Sequence, residues 1–162
     1  MDHLTPRHTE FAPLALWARA LTWGAVAVGV WGLTKSPPGE GALASVLIAG
    51  VLSFGILIEL VFGGLKVELF NDNMRISLGR VGWIRKVVSY DTIERIDPVT
   101  YRPFREFGGW GVRGFGEKQA WTASGNRALV LHRTDGSQLY VGSPHPDRLA
   151  ERVRSVAQRP LV

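Results

Sequence analysis

Residues 14–33, LALWARALTWGAVAVGVWGL, and residues 42–62, ALASVLIAGVLSFGILIELVF, decide how the rest of the chain is read. Each holds one ionisable residue, Arg19 in the first and Glu59 in the second. Each also approaches the ~20 apolar residues with which an α-helix crosses the hydrocarbon core of a bilayer. The sequence therefore predicts two transmembrane helices, over about 14–34 and 42–63. A cleaved secretory signal is the rival reading of the first stretch. Its apolar core outruns a signal peptide, however, and Val30-Trp31-Gly32 lacks the small-x-small cleavage pattern. A buried hairpin of a soluble protein is the rival for both stretches, yet neither has the polar face that a water-facing helix needs.

The connection between them, Thr34-Lys35-Ser36-Pro37-Pro38-Gly39-Glu40-Gly41, is short and rich in turn formers, which makes the helices antiparallel neighbours with both chain ends on one side. Arg7, Arg19 and Lys66 flank the outer ends of the pair, whereas the connection carries Lys35 beside Glu40. By the positive-inside rule both termini are expected in the cytoplasm. Trp17, Trp23 and Trp31 fall where interfacial anchors are expected, with packing on the second helix as the alternative for Trp23. At 1.5 Å per residue Arg19 and Glu59 sit at matching depths, roughly 7 Å inside the cytoplasmic ends. They are expected to pair, or else to snorkel separately toward the headgroups. Small residues recur at helical spacing in Ser45, Ala49 and Ser53, in Ala20 and Gly24, and in Ala25 and Gly29. Such stripes permit close approach within the hairpin or in a homo-oligomer.

From Lys66 onward the composition changes. This part holds 16 Lys or Arg against 10 Asp or Glu, about +6, a surplus that an anionic leaflet attracts. Apolar and polar residues alternate over 66–70 and 74–78 around the turn Asn71-Asp72-Asn73, predicting a first β-hairpin. Further strands are expected over 83–90, 93–99, 128–133 and 138–142, with Asp135-Gly136 as a second tight turn. Leu149, Val153 and Val156 then recur at helical spacing after Pro146, predicting one amphipathic C-terminal helix. The chain accordingly divides into an N-terminal segment with the transmembrane hairpin, 1–65, and a mostly β cytoplasmic domain, 66–162. Its class is an α+β membrane protein whose small antiparallel barrel or sandwich is capped by one helix. Gly63-Gly64 is a short joint, which keeps that domain against the membrane.

Several strands followed by one helix is the order of the pleckstrin-homology-like (PH-like) fold. The segments YRPFREFGGWGVRG (101–114) and SGNRALVLHRTDGSQLYVGSPHPDRLAERV (124–153) resemble small bacterial membrane proteins that carry a PH-like domain after two membrane helices. That resemblance implies location in the bacterial inner membrane and no established catalytic activity. Phosphoinositide-binding PH domains place basic residues around the first hairpin turn, whereas this turn reads Asn71-Asp72-Asn73, so phosphoinositide binding is not expected.

Little in the sequence points to chemistry. Gly109-Trp110-Gly111-Val112-Arg113-Gly114 matches GxGxxG formally, but no helix is predicted behind it, and the glycines are better read as bends that let Phe107, Trp110 and Phe115 pack on the domain. His3, His8, His132 and His145 are scattered without metal-ligand spacing, and there is no cysteine, so no metal site is expected. Asp91, Glu94 and Asp97 do not share a strand face, and Ser124, Ser137 and Ser143 lack a nucleophile context. Neither a cofactor nor catalytic residues are expected. What remains is a set of aromatics interleaved with arginines. From it Arg102, Arg105, Trp110 and Arg113 are nominated as an exposed interaction surface beside the membrane. The expected partners are the bilayer and a membrane or cytoplasmic protein, not nucleic acid. Two other readings stand beside an interaction module: an accessory subunit assembled through the hairpin stripes, and an enzyme or transporter component using Arg19 and Glu59.

Overall fold

The computed structural model describes residues 5–35 and 41–157. The expected Pro37-Pro38 turn and His3 lie outside the described residues. Both long apolar stretches are helical, α1 over Leu16–Leu33 and α2 over Gly41–Phe62, and each is long and apolar enough to cross a membrane. They pack side by side in opposite directions, as the successive contacts Arg19–Glu59, Val26–Gly55 and Gly29–Val51 require. Their outer faces are bare and apolar: Leu21 is 66% exposed, Val46 69% and Phe54 63%. Two hydroxyls on these helices donate to carbonyls one turn back, Thr22 to Ala18 and Ser45 to Gly41.

The remaining chain forms two sheets. In the first, β1 (His8–Pro13), β2 (Gly64–Leu69), β3 (Asn73–Leu78) and β4 (Arg85–Ser89) follow one another as antiparallel neighbours. The sequence reading assigns no strand to residues 8–13; these form β1, which precedes α1 and joins the first sheet. β1 is pinned to β2 from Pro13–Gly64 to His8–Leu69, and both helices are inserted between the paired strands.

The second sheet contains β5 (Ile93–Thr100), β6 (Gly111–Arg113), β7 (Lys118–Thr122), β8 (Arg127–Arg133) and β9 (Gln138–Gly142), in the order β5-β8-β9-β7-β6. The expectation of a purely antiparallel domain is corrected, because β7 runs parallel to β9. After the Asp135-Gly136 turn, β9 returns antiparallel to β8 and enters the gap between β8 and β7. A strand in that gap must run along β7. Trp83 and Ile84, expected in a strand, instead belong to the β3–β4 connection, where Ile84 is 39% exposed.

Alternation places Leu65, Val67 and Leu69 of β2, Met74 and Ile76 of β3, and Leu129 and Leu131 of β8 in one core, all at most 2% exposed. The helix α3 is a short turn over Pro103–Phe107. The C-terminal helix α4 (Pro146–Val156) starts with Pro146 in its first turn and buries Leu149, Ala150 and Val153 against β5 and β8. Arg127 on β8 reaches Asp147 in the first turn of α4 at 2.7 Å.

Candidate functional site at the foot of the hairpin

The charged pair expected from the sequence is brought together: Arg19 Nη2 lies 2.9 Å from Glu59 Oε1. The pair stands one to two turns beyond the last rung of the β1–β2 ladder. Closer to the sheet, the Leu14 N–H donates to the Gly63 carbonyl at 3.0 Å, and the Gly63 N–H donates to the Glu59 carbonyl. Sheet register thus continues into helix register without a flexible joint.

β1 reads HTEFAP, and its inward positions include His8 and Glu10 beside the buried Ala12. Both polar groups are met from other elements. Ser143 donates its hydroxyl to Glu10, and the Arg152 guanidinium of α4 lies against the His8 ring. Ser124 donates to the Pro13 carbonyl at 2.8 Å. Two serines without a catalytic context therefore hold β1 to the second sheet. Burial, with the nearby Arg152 charge second, lowers the His8 pKa, and Glu10 opposes that shift.

Trp110, read from the sequence both as a packed aromatic and as part of an exposed surface, packs on neighbouring rings. It is half-buried, tilted against Trp17 at the start of α1 with ring centroids 5.6 Å apart, and edge-on to Phe104 of α3 at 4.9 Å. Its indole N–H donates to the Gly125 carbonyl at 2.7 Å. The aromatic loop is thus a clamp between the β domain and α1. A cleft of about 340 Å³ opens beside it, with Leu14, Trp17, Phe62, Trp110 and Arg113 in its walls. Arg113 on β6 donates to the Trp110 carbonyl at 3.1 Å, while Arg102 and Arg105 sit at the start of α3 and within it. All three arginines are exposed and Trp110 is half-buried, so the nominated surface keeps its charges and part of its tryptophan.

The other aromatics divide in two. Phe107 packs on Tyr101 and Tyr140 at centroid distances of 6.0 and 5.0 Å, and burial raises the pKa of the Tyr101 hydroxyl. Phe115, expected to pack on the domain, is 95% exposed at the tip between β6 and β7. Gly114 beside it has φ +73°, and a Cβ there would fall 2.2 Å from the Lys118 carbonyl oxygen, so this turn requires glycine. The formal GxGxxG stretch continues into β7 rather than into a helix.

The carboxylates have ordinary surface roles. Asp97 pairs with Arg95 at 2.8 Å and His132 at 2.9 Å, and Asp91 and Glu94 are exposed. Among the described residues no three His, Asp or Glu side chains are grouped to hold a metal ion. The small-residue stripe Ser45, Ala49 and Ser53 faces outward, and Gly55 and Gly29 make the close contacts to the facing helix instead. Neither the family models nor the curated proteins compared with this chain match it.

Proposed function

We propose that this protein is a membrane-anchored, non-catalytic interaction module, in which a PH-like domain held against the inner leaflet binds a protein partner through its exposed β6–β7 tip and neighbouring arginines. The hairpin crosses the bacterial inner membrane, and both termini are cytoplasmic. The observation that carries this reading is the β1–β2 pairing across the hairpin, which fixes the sheet at the ends of two membrane-length helices. A domain built this way has its orientation set by the bilayer, as an adaptor at a membrane surface requires. The PH-like assignment rests on two packed sheets followed by one covering helix, with the parallel β7–β9 pair as a departure. The distribution of arginine and lysine supports the cytoplasmic placement.

Photocrosslinking in cells tests the partner. A photoreactive residue replaces Phe115 in the full-length chain, with a control probe at Thr134. A discrete protein adduct at 115 and not at 134 is expected. Identical patterns at both positions overturn a partner at the tip.

The outward stripe of Ser45, Ala49 and Ser53 favours a second reading, an accessory subunit that associates through the hairpin. Ala49→Leu with Ser53→Leu then abolishes association while the β domain stays folded.

A further inference from the structure

We infer that the β3–β4 connection, Arg80-Val81-Gly82-Trp83-Ile84, together with Arg85 at the start of β4, is a lipid-docking wedge: Val81, Trp83 and Ile84 enter the headgroup region of the leaflet next to the domain, and Arg80 and Arg85 pair with its anionic lipids. The inference rests on α2 crossing a bilayer, as proposed above, and adds a specific contact between the β domain and lipid.

Position is the first argument. The N–H groups of Arg80 and Val81 donate to the Leu60 carbonyl at 2.9 and 3.4 Å, and the Gly79 N–H donates to the Gly64 carbonyl at 2.7 Å. The last turn of a helix leaves carbonyls without intrahelical partners, and here loop amides serve one of them. Gly79 makes the approach possible. Its φ is +69°, and a Cβ there would fall 2.3 Å from the carbonyl oxygens of Leu60 and Val61. The loop is therefore bonded to the end of α2, at the depth where that helix leaves the hydrocarbon.

Exposure is the second. Trp83 is 69% exposed, Val81 45% and Ile84 39%, although the core lies one strand away. Leu60 and Phe62, on the helix end that the loop caps, are 38% and 49% exposed. Together they form an apolar collar around the foot of α2. Tryptophan at such a depth is stable because its ring is apolar and its N–H stays within reach of headgroups.

Charge decides the occupant. Arg80 and Arg85 bracket the apolar residues and both are exposed, with Arg80 standing 5.9 Å over the Phe11 ring. Lys86 is directed elsewhere, donating to Gln119 on the second sheet. An apolar tip between two guanidinium groups matches a leaflet of anionic phosphodiesters over an apolar layer.

The chain has no cysteine, so single nitroxide labels can be placed in the full-length protein by Trp83→Cys, Leu52→Cys and Thr134→Cys. The three proteins are reconstituted in vesicles of phosphatidylcholine, with and without phosphatidylglycerol. Collision rates with oxygen and with a water-soluble nickel chelate report depth. The 83 label is expected to lose nickel collisions and keep oxygen collisions, to lie deeper when phosphatidylglycerol is present, and to lose that increment in the Arg80→Gln/Arg85→Gln background. A 134 label open to nickel and a 52 label shielded from it complete the expected result. A nickel-accessible 83 label beside a shielded 52 label overturns the wedge and leaves the membrane anchor standing. A nickel-accessible 52 label overturns both. Low collision with both reagents at 83 places Trp83 in a protein contact and overturns the lipid assignment, and equal depth in both lipid compositions overturns the role of anionic lipid.

Discussion

Pro13 faces Gly64 at the end of the β1–β2 ladder, so both membrane-length helices are contained in a single connection between neighbouring antiparallel strands. Such a strand pair is ordinarily closed by a few residues. Here the closure is a helical hairpin, and each strand enters its helix through a turn that is itself hydrogen-bonded, Leu14 to Gly63 and Gly63 to Glu59. Motion of the β domain relative to the helices must break backbone bonds, which ties domain orientation to the helix pair.

The Arg19–Glu59 pair extends this closure by one more contact. In full-length protein in detergent, Arg19→Gln and Glu59→Gln are each expected to lower the unfolding midpoint. The double variant is expected to lose less than the sum, with a coupling energy on the order of 1 kcal/mol. Additive losses, read by a thermal-unfolding double-mutant cycle, contradict a working pair.

Gly55 lies where a Cβ would come 2.9 Å from Val26 Cγ2. Gly55→Leu is expected to force the helices apart and cost about 1–3 kcal/mol of stability. Ala49→Leu on the outward face leaves the midpoint unchanged. Equal effects of the two substitutions in the same thermal assay contradict the helix packing described here.

Gly79 combines a left-handed backbone with contact to the α2 terminus. Gly79→Ala is expected to destabilise the protein by at least about 1 kcal/mol and to raise amide exchange at Arg80 and Val81, measured by hydrogen–deuterium exchange. Protection unchanged at those amides would show that the cap does not depend on glycine.

Leu149 of α4 is fully buried against the sheets. Leu149→Ala is expected to cost about 2–5 kcal/mol, because the sheets cannot close over the vacated volume. Urea titration of the full-length protein in detergent reads the loss. A cost within error of zero would mean that α4 does not seal the core.

His8 supplies a pH dependence. Its folded-state pKa is lowered by burial first and by Arg152 second, against its ordinary value of 6.5. The unfolded chain therefore binds a proton more readily than the folded one, and this contribution to stability is complete above 6.5 and declines as pH falls below it. The unfolding midpoint of the native protein is expected to drop more between pH 7.5 and 5.5 than that of His8→Gln. Parallel pH profiles for the two proteins refute the assignment.

Local periodicity by itself determined both long helices, the strands expected over 66–70, 74–78, 93–99, 128–133 and 138–142 to within about two residues of their ends, the Asp135-Gly136 turn, the Asn71-Asp72 turn whose expected third residue Asn73 instead opens β3, and the buried stripe of α4. Each of these buries its apolar residues at the spacing of its own backbone, so a short window of sequence suffices. Tertiary structure decided the rest. β1 escapes such a window because its inward positions include His8 and Glu10, which become tolerable beside Arg152 and Ser143. β7 is short, and its direction follows from the later insertion of β9 between it and β8. Trp110 and Trp83 are both aromatic residues near glycines in the sequence, yet one is clamped on Trp17 and the other stands 69% exposed beside the end of α2. That difference depends on which elements meet across the foot of the hairpin, and contacts between residues so distant in sequence leave no mark on the pattern of either segment.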